Sequence, residues 1–153
     1  MDKIIGMGNA LVDVLATLKD DSELQELQLP KGSMQLIDEK KLEEINKKLS
    51  TMRTYLATGG SAGNTCVALA EMKAQVGFIG KTGSDQYGEF FRKSYERLNI
   101  DTTLLSSNLP TGVASTFISP DGERTFGTHL GAASSMKADD LSAEFFKGYT
   151  YLY

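Results

Sequence analysis

A chain of 153 residues, 41% hydrophobic and 24% charged, has enough material for one domain with a real core. Its formal charge of −4 gives no electrostatic basis for a nucleic-acid or anionic-membrane partner. No apolar run spans a bilayer, no signal peptide opens the chain, and the single cysteine excludes an internal disulfide, so a cytoplasmic protein is the default.

Residues 4–8 read as a short buried strand and 11–18 as a second, with Asn9-Ala10 between them. The stretch 20–31 is polar and turn-like around Pro30, with a helical turn over 22–27. Residues 34–37 form a brief strand. Asp38 then reads as a helix N-cap, and Leu42, Ile45 and Leu49 fall at helical spacing through Ser50. Residues 54–57 predict a strand that enters a glycine loop, and a helix follows over 64–73. A strand over 76–79 precedes a helix faced by Tyr87, Phe91, Ser94, Tyr95 and Leu98. After a short strand at 102–105, the runs 113–119 and 124–129 flank Pro120-Asp121-Gly122, a hairpin signal. Residues 138–146 predict a helix, and 149–153 begin another strand. Strands alternating with helices imply a layered α/β core with parallel strands. The runs at 11–18, 34–37, 113–119 and 124–129 lack crossovers and suit a small antiparallel sheet attached to it.

The segment Gly59-Gly60-Ser61-Ala62-Gly63-Asn64 organises the chain. Paired glycines permit torsions closed to other residues and let a ligand approach the main chain. The first N–H groups of the following helix have no internal partner and can serve a polar ligand. Asn64, one turn in, brings an amide that donates and accepts. The alternative is a plain strand-to-helix turn with Ser61 as N-cap.

These six residues resemble the first signature of the PfkB (ribokinase-like) family of carbohydrate and nucleoside kinases. The resemblance implies that the segment binds hydroxyls of a phosphoryl acceptor, with the glycine pair as hinge of a closing lid. It also implies a Rossmann-like, ribokinase-type layered core, here partial, under an antiparallel β-sheet lid of strands at about 11–18, 33–37, 113–119 and 124–129. Gly8-Asn9-Ala10-Leu11-Val12-Asp13 is similar to the adenosine-kinase branch, in which Asn9 and Asp13 would hold ribose hydroxyls. A carboxylate suits two neighbouring hydroxyls because it accepts two hydrogen bonds at once. The alternative is a turn asparagine and a strand-edge aspartate. Met34-Gln35-Leu36-Ile37 resembles the lid segment against the nucleobase, which makes Gln35 a candidate contact. Arg124 occupies the place of a lid arginine that can face the transferring phosphoryl group, or it is a solvated hairpin arginine.

Two other signals fail. Gly80-Lys81-Thr82 looks like the end of a P-loop, but Gln75 stands where its first glycine belongs; Gly6-Met7-Gly8 is followed by Leu11 instead of a third glycine. His129 is the only histidine and no cysteine cluster joins it, so no metal site is supported; Cys66 falls on the helix after the glycine loop and reads as packed, not reactive.

The resemblance implies transfer of the γ-phosphoryl of MgATP to a hydroxymethyl group. Asn9, Asp13, Gln35, Gly59, Gly60, Ser61 and Asn64 would hold the acceptor. A nucleoside such as adenosine is favoured, because this spacing and Ser61 resemble that branch. A sugar such as fructose or ribose is the runner-up. The family's second signature, a Thr-Gly-Ala-Gly-Asp type segment with the catalytic base, is not found in these residues. The expectation is therefore the N-terminal, acceptor-binding portion of a kinase, with the ATP site beyond Tyr153. A non-catalytic nucleoside- or sugar-binding module is the alternative from another class. A homodimer through the lid is compatible with the resemblance.

Overall fold

Elements alternate along the chain in the order β1 (Lys3–Met7), β2 (Leu11–Thr17), α1 (Ser22–Glu26), β3 (Met34–Leu36), α2 (Glu39–Leu49), β4 (Thr54–Gly59), α3 (Ser61–Glu71), β5 (Gln75–Gly83), α4 (Gln86–Arg97), β6 (Asp101–Ser107), β7 (Gly112–Ile118), β8 (Arg124–His129) and β9 (Tyr151–Leu152). This is a computed structural model, and it describes residues 2–153. Two units are formed. The first is Met1–Val12 with Thr58–Gly112 and Gly131–Tyr153; the second is Asp13–Ala57 with Val113–Leu130.

The first unit is built on the sheet β6-β5-β1-β9, parallel throughout. The neighbours β5 and β6, the latter at the sheet edge, are joined by α4, the crossover that parallel pairing requires. Small residues let the helices approach. A Cβ on Gly6 would meet the Cys66 sulfur of α3, and one on Gly8 would stand 3.0 Å from Ala62 Cβ. Phe78, Phe91 and Tyr95 fill the core, with the Phe91 and Tyr95 rings stacked at 4.3 Å and Phe78 edge-on to Tyr95 at 5.2 Å. Asp85 caps α4 by accepting from the Gly88 N–H at 2.9 Å.

In the second unit the sheet runs β3-β8-β7-β2-β4. Alternation along the β7–β8 hairpin sends one set of side chains toward α2. The space above Gly127 is filled by Ile45 of α2, whose Cδ1 would lie 2.8 Å from a Cβ there. Asp38 caps α2 through the Lys41 N–H, as the sequence predicts. Gly122 turns the hairpin at φ +86°, and Lys31 bridges Asp21 and Asp121 at 2.7 and 2.6 Å, which ties that turn to the loop after α1.

The fold is α/β with the ribokinase-type layered core expected, but three elements differ from the sequence reading. The second sheet is mixed, because β3 pairs with β8 in parallel. The Ser33 carbonyl accepts from Phe126 N–H and the Ile37 N–H donates to the Thr128 carbonyl, which fixes that direction. Strand β4 belongs to this sheet, at its edge. Residues 138–146 form no single helix: short 3-10 turns at Ala138–Asp140 and Ala143–Phe146 are separated by Leu141 and Ser142 in extended backbone. The Ser142 hydroxyl accepts from the Glu144 N–H and starts a new turn instead of continuing the old one.

Candidate functional site

Within the first unit, Asn9 follows β1 and Gly60 precedes α3, and the two loops touch. Gly60 has φ +88° and ψ 139°, and a Cβ there would strike the Asn9 carbonyl. Only glycine satisfies both conditions. Gly59 is buried at the end of β4, and Gly60, not Ser61, is the N-cap of α3. Ser61 and Asn64 are exposed on the first turn, and the Asn64 N–H donates to the Gly60 carbonyl at 2.8 Å. Four of the predicted residues, Asn9, Gly60, Ser61 and Asn64, thus share one corner beside a helix N-terminus.

The sequence reading missed Tyr153 at this corner. Thr65 first and then Ser61, beside its hydroxyl, lower its pKa. Tyr153 is itself carried on the backbone of β1, accepting from Met7 N–H and donating to the Ile5 carbonyl, both at 2.9 Å.

Within the second unit, Asp13 on β2 is half-buried. Burial pushes its carboxyl above the ordinary carboxylate range, and the positive charge of Arg124 on β8 offsets part of that rise. Arg124 is exposed, with its guanidinium 6.0 Å from the Phe126 ring centre. Register decides which neighbours share the Phe126 face. Met34 pairs with Phe126 and Leu36 with Thr128, whereas Gln35 pairs with Gly127, the residue under Ile45. Paired residues of a parallel ladder point the same way, so Gln35 turns toward α2 and its amide donates to the Ser33 hydroxyl at 3.3 Å. Gln35 therefore stands on the face opposite Phe126. Its neighbours Met34 and Leu36, 61% and 65% exposed, lie on the Phe126 face. Period-two alternation was visible in the sequence, but the phase needed the β3–β8 register.

The Gly80-Lys81-Thr82 sequence is the end of strand β5, not a phosphate loop. Lys81 pairs with Asp140 at 2.7 Å and donates to the Ser135 carbonyl. Burial raises the pKa of the Cys66 thiol, as expected of a packed cysteine. Among the described residues, no group of three or more His, Cys, Asp or Glu is disposed to hold a metal ion, and no helix is long and apolar enough to cross a membrane.

Residues 32–153 match the family model described as pfkB family carbohydrate kinase. Adenosine kinase 2 of Arabidopsis thaliana is 27% identical over 143 residues, covering 90% of this chain and 41% of the relative. The 5-dehydro-2-deoxygluconokinase of Clostridium beijerinckii is 44% identical over 63 residues, 39% of this chain and 18% of the relative. The crystal structure of adenosine kinase from Sinorhizobium meliloti superposes with a TM-score of 0.86 at 32% identity, covering 99% of this chain and 46% of that one. The chain spans less than half the length of each of these proteins.

Proposed function

Because the chain belongs to the pfkB family of carbohydrate kinases, we propose that it forms the acceptor-binding part of an ATP-dependent phosphotransferase acting on the hydroxymethyl group of a nucleoside, adenosine first. The observation that carries this reading is the contact of Gly60 with the Asn9 carbonyl. It brings the Asn9 loop and the first turn of α3 to one corner, where the amides of Asn9 and Asn64 and the free N–H groups of the helix can meet neighbouring hydroxyls. In the second unit, the Asp13 carboxylate has the chemistry to accept from acceptor hydroxyls. Arg124 is the cation for developing phosphoryl charge. Met34, Leu36 and Phe126 offer apolar surface suited to a flat base.

The match to an adenosine kinase over 90% of this chain supports the nucleoside. The higher identity to 5-dehydro-2-deoxygluconokinase over a shorter stretch supports a sugar acid or sugar as the second reading. The phosphoryl donor is MgATP, from the family. The described residues offer no metal cluster for it, so its site is not assigned to them. Whatever donor binds elsewhere supplies the phosphoryl group; the residues named here orient the acceptor and exclude water from it.

Titration of the labelled chain with adenosine, ribose and fructose tests the reading. Adenosine should shift the Asn9 and Asn64 amide signals at the lowest concentration. A sugar that saturates them first overturns the nucleoside in favour of the second reading. With MgATP added, the chain alone should give no turnover, since it holds no Gly-Ala-Gly-Asp type segment.

A further inference from the structure

Tyr95 on α4 is completely buried, and its hydroxyl has no hydrogen-bond partner among the described residues. A buried hydroxyl left unpaired is costly, and phenylalanine would fill the same aromatic stack without that cost. The ring is held between Phe78 and Phe91, so the hydroxyl cannot swing away. It points at the first turn of α3: a Cβ on Gly63 would lie 2.7 Å from the oxygen. Gly63 immediately precedes Asn64, whose N–H closes the turn on the Gly60 carbonyl. On the same buried face the helix is seated by Cys66 against Gly6, and next to it by Ala62 against Gly8. Beside these contacts, the hydroxyl is the stop that meets the helix under the residue before Asn64.

We propose that Tyr95 is a positioning residue for the acceptor corner: its hydroxyl, packed against Gly63, sets the seating of the first turn of α3 and with it the place of the Asn64 amide. This rests on the acceptor-binding reading of Asn64. The contact itself is independent of that reading, and the two can fail separately. Burial also raises the pKa of the Tyr95 phenol, so the hydroxyl stays neutral and acts through size and polarity, not through charge.

The test uses the 153-residue chain with Tyr95→Phe, Gly63→Ala and the pair together. The readouts are thermal unfolding, amide hydrogen exchange and adenosine titration. Tyr95→Phe should leave the unfolding midpoint unchanged or raise it by about 2 °C, while exchange of the Asn64 amide accelerates by at least about tenfold relative to the amides of α4. A merely structural tyrosine would not move stability and local protection in opposite directions. Gly63→Ala should lower the midpoint or prevent folding. The double variant should fold and recover Asn64 protection, because the added methyl takes the space of the removed oxygen. Unchanged Asn64 exchange in Tyr95→Phe overturns the proposal, as does a double variant no better than Gly63→Ala. If the exchange pattern holds but the unaltered chain does not bind adenosine, the seating role of Tyr95 is supported and the acceptor reading is overturned.

Discussion

The carbonyl of Asn9 abuts Gly60 so closely that no side-chain carbon fits between them. Gly60 also occupies torsions that L-residues avoid, with φ +88° and ψ 139°. Gly60→Ala therefore meets a clash with main chain and a strained backbone at once. A loss of about 2–6 kcal/mol follows, since overpacking and forbidden torsions each cost about 1–3 kcal/mol. Denaturant unfolding of the chain checks it. Gly122→Ala is the control, because Gly122 shares the positive φ but has open space around it. A smaller loss there would assign the difference to the Asn9 contact.

Asp85 supports the fold of the first unit. Its carboxylate accepts from Thr111 N–H and Thr111 hydroxyl, both at 2.7 Å, and from Gly88 N–H at 2.9 Å. Burial alone would push its pKa up, but the hydrogen bonds from Thr111 and Gly88 outweigh that and hold it below the ordinary carboxylate value. A depressed folded pKa means that the stabilisation is present above the unfolded value and is lost as pH falls through the folded one. Asp85→Ala should cost about 2–4 kcal/mol at neutral pH, from a lost cap and lost charge-assisted bonds. Urea unfolding across the acid range should show the gap to the unaltered chain closing as pH falls. A constant gap would mean that the carboxylate charge contributes nothing.

Most of the fold was legible because local chemistry and pattern agreed. Asp38 before a helical repeat, Pro120-Asp121-Gly122 between two apolar runs, and the glycine loop before α3 all predict what forms. What could not be read was set by long-range pairing. β5 runs on to Gly83 through Gly80 and Gly83, which look like turn residues, because β6 pairs with it to Ser107. The parallel β3–β8 register decides that Met34 and Leu36, not Gln35, share the Phe126 face. Asn9, Gly60 and Asn64 were legible as a motif, while Tyr153 was not, since only the β1–β9 pairing brings its hydroxyl to Ser61.

Asp13 should make the chain less stable as pH rises. Burial raises its folded pKa above the unfolded value, so between the two the folded chain binds more proton and stability falls through that window. Asp13→Asn removes this cost. The variant should match the unaltered chain at about pH 3 and exceed it in stability at about pH 7. Arg124→Gln should do the reverse, because it takes away the charge that offsets the burial: a deficit at neutral pH that disappears in acid. Thermal melts of the three chains at both pH values decide it, and an Asp13→Asn chain no more stable at neutral pH would refute the buried carboxylate.

The same substitution should act oppositely on function. In the whole kinase, Asp13→Asn keeps the shape of the side chain and loses the charge that acceptor hydroxyls would bond to. Hydrogen bonds to charged groups contribute about 1.5–3 kcal/mol, so kcat/KM for adenosine should fall roughly ten- to a hundredfold. The KM for ATP should hardly change, because the donor contacts are not assigned to this chain. A gain in stability joined to a loss in acceptor kinetics is the signature of a site residue held in place at a cost to the fold. A packing residue gives losses in both, and a strand-edge aspartate gives neither. Steady-state kinetics with adenosine and ATP varied in turn, on protein whose melting point is measured alongside, separate the three. Unaltered acceptor kinetics would reduce Asp13 to the strand-edge role and leave the acceptor corner to Asn9, Gly60 and Asn64.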